Sequence, residues 1–298
     1  EISVEGGSVT LVYVDGTQGW RPTDASTAAS ITEESTYISA TGGNQPTAGG
    51  CIVCTNYKVH KFTGPGTFCV SAGAGDVAVA DYMVVAGGGG GGGGSSGSLF
   101  GGGGGGAGGW RASAGTSSGC YTAGPLAAGV SALPVSIQGY PITVGGGAPT
   151  TPGTGPSTPN ARLGSNGSDS TFSTITSAGG GVGGSRHTGP SPSVNISKGN
   201  SGGSGGGSSE GIDGAYLGGA GNTPSQSPVQ GFDGGDAASA DNSPIISPSG
   251  GGGASAVGVN TPTNTNGGAG GAGATSCISA SPVAYSGGGG GGGGSPNG

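Results

Sequence analysis

Apolar positions gather in the first third of the chain and thin out behind it. In residues 2–14, Val9, Leu11 and Tyr13 alternate with Thr10, Val12 and Val14. Both sets favour extended backbone, so a β-element is expected, with Asp15-Gly16 turning the chain and Trp20 packing back on the strand. Residues 21–50 are rich in Ser, Thr, Ala and Gly and read as a linker, with a short helix around Ala25 to Glu34 as the alternative. From Asn56 to Phe62, Tyr57, Val59 and Lys61 alternate with Lys58, His60 and Phe62. Gly64-Pro65-Gly66 then supplies a turn and Thr67 to Val70 a return strand, which predicts a hairpin. The most apolar stretch, Asp76 to Ala86, carries Val77, Val79, Tyr82, Val84 and Val85 and runs straight into Gly87.

Behind that stretch the pattern changes. Glycine blocks recur at 87–94, 101–109 (broken by Ala107), 145–147, 179–184, 202–207, 250–253, 267–273 and 287–294. Connectors of Ser, Thr, Asn, Pro and isolated aromatics separate them at irregular spacing, so the chain is no solenoid of fixed repeat. A block of this kind is either a flexible tether or a packed extended helix. In the polyproline-II conformation eight residues span roughly 25 Å at three residues per turn. Without Cβ, neighbouring helices can approach until N–H of one meets C=O of the next. Recurrence of blocks of similar length favours packing, because a tether has no need of so many interruptions.

Composition sharpens this. Of 298 residues, 80 are Gly and 19 Pro, while Leu, Ile, Val and Phe together make only 43. A conventional side-chain core over the whole chain is excluded, and with it a Rossmann sheet, a TIM barrel or a helix bundle. Collagen is excluded because Gly is blocked rather than placed at every third position. The net charge is −7, and the seven basic residues are scattered, so no stripe tracks a phosphate backbone and nucleic-acid binding is not expected. No stretch reaches the length of a membrane span. The numbered chain opens on Glu1 without a signal-peptide pattern, which leaves room for a longer product.

Candidate chemistry is sparse. Cys51 and Cys54 form C-x-x-C, but no second pair or paired His completes a zinc set, and no βαβ unit supports a redox motif. A disulfide of Cys51 or Cys54 with Cys69, or a set of buried thiols, is the simpler reading; no metal and no cofactor is expected. His60 lies among apolar neighbours on a strand and reads as structural. Two histidines support no Ser-His-Asp arrangement, so the chain is not expected to be an enzyme. Matches to G-x-G-x-x-G follow from composition alone. Asp213, Asp233, Asp236 and Asp241 share one connector; calcium chemistry is an option there, turn formation the alternative.

The run VHKFTGPGTFCV…DYMVVAGGGGGGGG (Val59 to Gly94) resembles the start of the glycine-rich domain of phage and bacterial surface proteins. So do GGGGGGAGGWR (Gly101 to Arg111), YPITVGGG (Tyr140 to Gly147), GSNGSDSTFSTITSAGGG (Gly164 to Gly181) and YSGGGGGGGG (Tyr285 to Gly294), in the same order. SVTLVYVDGTQGW (Ser8 to Trp20) resembles a short segment of cyanophage structural and tail-fibre proteins. A related architecture, the glycine-rich adhesin at the tail-fibre tip of T-even-like phages, packs polyglycine-II helices into a sandwich whose loops bind host receptors.

The resemblance implies a mostly non-regular and β fold: short N-terminal strands, then a polyglycine-II sandwich with irregular connecting loops. Residues 1–24 would be an attachment segment, 25–55 a linker, 56–86 a hairpin and apolar lead-in, and 87–298 the glycine-rich domain. It further implies a virion tail-fibre or appendage protein, extracellular, whose distal domain recognises a host glycan or outer-membrane protein. The alternative is a structural fibre or capsid-decoration protein with no receptor. Partners would be other fibre or tail proteins and the receptor, with a homotrimer as first expectation and a monomeric tip as second. Trp110, Tyr140, Phe172 and Tyr285 lie in the matching motifs and read as scaffold. Arg186, His187, Tyr216 and Phe232 lie outside those motifs and are the candidate receptor-binding residues.

Overall fold

The computed structural model of the chain describes residues 11–13, 20–22, 38–44, 51–53, 57–73, 78–94, 101–115, 125–149, 164–185, 196–209, 217–237, 247–261 and 266–293. They contain no α-helix, one 3-10 turn at Pro125–Ala127 and fifteen short strands. The strands are β1 (Leu11–Tyr13), β2 (Trp20–Pro22), β3 (Ser39–Thr41), β4 (Cys51–Val53), β5 (Tyr57–Val59), β6 (Gly66–Ala72), β7 (Val79–Ala80) and β8 (Met83–Val85). They continue with β9 (Trp110–Ala112), β10 (Leu133–Pro134), β11 (Gly139–Thr143), β12 (Ser170–Phe172), β13 (Ile175–Ser177), β14 (Ala274–Ser276) and β15 (Val283–Tyr285). One five-stranded antiparallel sheet has the order β13-β12-β11-β6-β3; the other strands form two-stranded pairs. At the front, β1 and β2 pair with Tyr13 opposite Trp20.

Two sequence expectations are corrected here. Residues 21–50 are not wholly a linker, because β3 forms an edge of the five-stranded sheet. Nor does 56–62 pair with 67–70: β5 pairs back onto β4, and β6 pairs with β3 on one edge and β11 on the other. β6 carries the buried Phe68 and Val70, and filling both of its edges buries them better than a lone hairpin would. Residues after β5 are held instead by the turn behind β3. Asn44 N–H donates to the Lys61 carbonyl at 3.0 Å, and His60 Nδ1–H donates to the Gly42 carbonyl at 2.8 Å. Gly42 sits at φ +116°, which explains why a glycine stands there. The helix considered around 25–34 lies outside the described residues.

The side-chain core is small and confined to the strands. Ala40, Phe68, Val70, Tyr82, Val84, Val135, Tyr140, Phe172 and Ile175 form one cluster. Phe172 is its centre, with ring centroids 6.0 Å from Phe68, 6.2 Å from Tyr140 and 6.5 Å from Tyr82 in edge-to-face geometry. A second cluster of Trp110, Ala112, Ala127, Ala254 and Ala274, with Met83, Val85 and Tyr285 against it, lies between the β8–β9 and β14–β15 hairpins.

Beyond the strands the backbone itself is the packed surface. The glycine blocks and several other segments are extended rods whose hydrogen bonds repeat every third residue. Rod 247–253 shows the rule in full. Its N–H groups point in turn at three rods: Ser249 and Gly252 donate to Ser208 and Gly205, Gly250 and Gly253 to Val259 and Ala256, Gly251 and Ala254 to Gly289 and Ser286. Its carbonyls serve three others: Pro248 and Gly251 accept from Gly268 and Gly271, Ser249 and Gly252 from Gly104 and Ala107, Gly250 and Gly253 from Gly235 and Phe232. A period of three with six bonded neighbours is the polyglycine-II arrangement. Rods 202–209 and 101–109 lie beside it, bonded to it and to each other, and this triad is buried.

The β-hairpins set the register of the rods. Across β8–β9, Val85 faces Trp110; the same alignment continues as Ala86 N–H to Gly109 O, Gly89 to Gly106 and Gly92 to Gly103. β14–β15 passes in the same way into Gly288 to Gly271 and Gly291 to Gly268. In the sheet each residue bonds within one plane; in the rod the other groups rotate away to serve other neighbours, so the shared ladder keeps every third bond. At most buried rod positions this packing leaves no room for a side chain. A Cβ on Gly205 would fall on the carbonyl oxygen of Gly219, and one on Gly250 on that of Ala269.

Candidate functional site

Rod polarity sorts the molecule into two ends. Rods 87–94, 178–185, 202–209, 231–237, 256–261 and 286–293 run away from the hairpins, and rods 101–109, 217–221, 247–253 and 266–273 run back. The evidence is the bond pattern: 180 and 183 pair with 87 and 90 in parallel, 205 and 208 with 232 and 235 in parallel, and 104 and 107 with 249 and 252 in parallel. Rod 101–109 pairs with 87–94 antiparallel. The described segments that finish at Gly94, Pro149, Ser185, Ser209, Ala237, Thr261 and Gly293 therefore end on one common side. The strand-rich hairpins lie at the other.

Serines close the rods at the connector end. Ser185 Oγ accepts from Gly93 N–H at 2.8 Å, Ser249 Oγ from Ser208 N–H at 2.8 Å, and Ser208 Oγ from Ala237 N–H at 2.7 Å. Ser209 Oγ donates to the Gly101 carbonyl at 3.0 Å. These serines are buried and take the role that capping side chains take at helix ends. Thr261 Oγ1 donates to the Ser247 carbonyl at the same end.

The long edges of the lattice are closed by Asx side chains spaced by the rod period. Asp233 Oδ1 accepts from Gly221 N–H and Asp236 Oδ1 from Gly218 N–H, both at 2.7 Å. On another edge Asn166 Oδ1 accepts from Val182 N–H at 2.9 Å and Asp169 Oδ1 from Gly179 N–H at 2.8 Å. In each case i and i+3 present two acceptors on one side of a threefold rod. Sequence reading missed this role for Asp233 and Asp236, although D-G-G-D and N-G-S-D both show the spacing. Among the described residues no cluster of three His, Cys, Asp or Glu could hold a metal ion.

At the hairpin end the connector 222–230 is a built turn. Asn222 Oδ1 accepts from Gln226 and Gln230 N–H. Gln230, 1% exposed, plugs the lattice: its Oε1 accepts from Ala178 N–H and its Nε2 donates to the Pro224 carbonyl, both at 2.8 Å. A small hollow lies nearby, lined by Tyr82, Trp110, Arg111, Leu126, Val130, Pro228 and Val229; it has room for little more than a water molecule.

The sequence candidates fall as follows. Trp110, Tyr140 and Phe172 are buried and Tyr285 is half-buried against the second cluster. Tyr140 Oη accepts from Ser136 N–H at 2.7 Å and from Gln138 Nε2 at 2.9 Å. Arg186, His187, Tyr216 and Cys54 lie outside the described residues; Arg186 and His187 follow Ser185, and Tyr216 precedes Leu217, all at chain positions next to the connector end. Phe232 is corrected: it stands in a rod at the hairpin end, not in a connector. Its N–H donates to Gly253 and its carbonyl accepts from Gly205, because the flanking Gly231, Gly234 and Gly235 let that segment join the lattice. The disulfide expected at Cys69 is also corrected, since Cys69 is a free, exposed thiol; β6 turns it to the solvent face, away from Phe68 and Val70. Residues that sequence reading passed over are Leu217 and Val259, 56% and 49% exposed beside the chain exits.

A family model described as a glycine-rich domain matches residues 62–298. No curated protein and no solved structure matches the chain.

Proposed function

The chain belongs to the glycine-rich domain family over residues 62–298, and on that premise we propose that it is a non-catalytic recognition protein of a virion appendage. In this reading the β-rich end faces the fibre and the connector end meets a host surface receptor, a glycan or an outer-membrane protein. The observation that carries it is the common exit of the connectors. The backbone lattice brings the last described residues of several rods together at one end, in the manner of rigid scaffolds that display loops. Exposed Leu217 and Val259 beside those exits supply apolar contact area. The phage origin, the tail-fibre role, the receptor and a homotrimeric assembly rest on the sequence resemblance.

The test is direct binding of the labelled full chain to bacterial cells and to purified surface glycans. Saturable binding that falls at least about tenfold, or about 1.4 kcal/mol, when Tyr216, Leu217 and Val259 are replaced by Ser supports the reading. No binding to any cell type points to a structural fibre or decoration protein instead. Binding that survives those changes but is lost on altering the β-rich end reverses the polarity proposed.

A further inference from the structure

The buried rod 101–109 is bonded to five neighbours rather than six. Residues 103, 106 and 109 donate to rod 178–185, and 104 and 107 donate to rod 247–253. Its carbonyls accept from rods 87–94, 202–209 and 286–293. The third set of N–H groups, on Gly102, Gly105 and Gly108, has no hydrogen-bond partner among the described residues, although all three glycines are buried. In a threefold rod these groups point in one common direction, between rods 87–94 and 286–293. Buried backbone donors are almost always paired, so three in register make an organised feature.

The walls of this groove complement its floor. On one side the carbonyls of Gly89 and Gly92, and on the other those of Gly287 and Gly290, accept nothing from the described residues. The groove thus offers a row of donors along its base and rows of acceptors along both walls. The two edges described above are closed by Asp and Asn side chains at i and i+3; this one is not, which leaves it a template for another chain, like an unprotected sheet edge.

We propose that this groove is a docking site for a glycine-rich extended segment of a partner protein, which completes the lattice as a further rod. The three donors span about 19 Å at the polyproline-II rise, the reach of one rod of about seven residues. The occupant must present a carbonyl to the floor at every third residue and N–H groups to the walls. It must also lack side chains on the lattice side, since a Cβ at buried rod positions of this protein lands on a neighbouring carbonyl. Glycine meets both conditions; a folded surface, a sugar or a charged peptide does not.

The structure supplies a clean block and a clean control. A Cβ on Gly91 meets nothing closer than the Gly103 carbonyl at 3.8 Å, so a leucine there enters the groove without displacing a rod. A Cβ on Gly290 meets only the Gly268 carbonyl at 3.7 Å, away from rod 101–109. The full chain is titrated against a fluorescent, lysine-tagged Gly/Ser peptide by anisotropy, with an Ala/Ser peptide as control. Amide exchange is followed in parallel. Expected are saturable binding of the Gly/Ser peptide alone, loss of at least about tenfold in affinity in Gly91→Leu but not Gly290→Leu, and slowed exchange at Gly102, Gly105 and Gly108 on binding. The proposal is overturned if neither peptide binds, or if those amides already exchange as slowly in the free protein as Gly103 and Gly106. A concentration-dependent dimer that Gly91→Leu abolishes, without peptide binding, overturns it in favour of a second copy of this chain.

Discussion

Replacing Gly205 with alanine tests the claim that backbone is the core. The added Cβ falls on the Gly219 carbonyl, so rod 217–221 must retreat from rod 202–209. That retreat stretches Gly219 N–H to Gly206 O at 2.7 Å, Asn222 N–H to Gly203 O at 2.9 Å and Gly202 N–H to Ala220 O at 3.1 Å. Leaving two or three such groups unpaired costs roughly 3–5 kcal/mol. Restricting the unfolded chain offsets about 0.4–1 kcal/mol of it. The net loss of about 2–4 kcal/mol should lower the melting temperature by roughly 5–10 °C for a chain of this size. Gly91→Ala is the matched control, since its Cβ makes only an ordinary contact with the Gly103 carbonyl at 3.8 Å and it should gain about 0.4–1 kcal/mol. Urea unfolding followed by circular dichroism reads both variants. If the two alanines shift stability alike, within about 0.5 kcal/mol, the rods are not in close contact and the argument fails.

Other outcomes follow from the same geometry. Asp233→Ala with Asp236→Ala uncaps Gly221 and Gly218, and should cost about 1–2 kcal/mol in urea unfolding, while Asn at both positions restores most of it. Gln230→Ala leaves the buried Ala178 N–H unpaired, an expected loss of about 1–3 kcal/mol by the same assay. Burial pushes the Tyr82 phenol above its ordinary value, against the opposing pull of the Arg111 charge. The folded state therefore holds that proton longer than the unfolded chain: the contribution is present below about pH 10 and is lost as pH rises through the folded value. Tyr82→Phe should flatten the alkaline fall in stability. Cys69, free and exposed, should react with a thiol reagent in the native protein, and Cys69→Ser should leave the melting temperature unchanged.

The glycine blocks were legible as rods because their length, recurrence and position behind an apolar strand are linear features. Seven of the eight supply lattice segments bonded to at least two neighbours, and 145–147 forms a short one against Ser168. The apolar stretch before Gly87 was equally plain, and it carries β7, β8 and the buried Tyr82 and Val84. Less visible were the rods that lie outside the glycine blocks. Segments such as 231–237 and 256–261 enter the lattice with Phe232, Asp233 or Val257, because a peripheral rod needs a bare backbone only on its inner side. Read in isolation, Phe232 looked like a loop aromatic and Asp233 and Asp236 like turn residues; once the period is three, the Asp pair is a ladder.

Sequence alone determined the kind of core this protein has. With so few large apolar side chains and so much blocked glycine, only packed backbone can exclude water where the glycine blocks lie. Sequence also put Phe68 on a return strand, whereas Tyr140 and Phe172 read as scaffold only through the resemblance and their strands, β11 and β12, came from the structure. Only the tertiary structure decided which rods are neighbours, because glycine blocks are chemically alike and no side chain tells one from another. That choice falls to the hairpins, whose side-chain pairing fixes a register that the rods inherit. The direction of each rod then follows, and with it the gathering of connectors at one end and the open groove along rod 101–109.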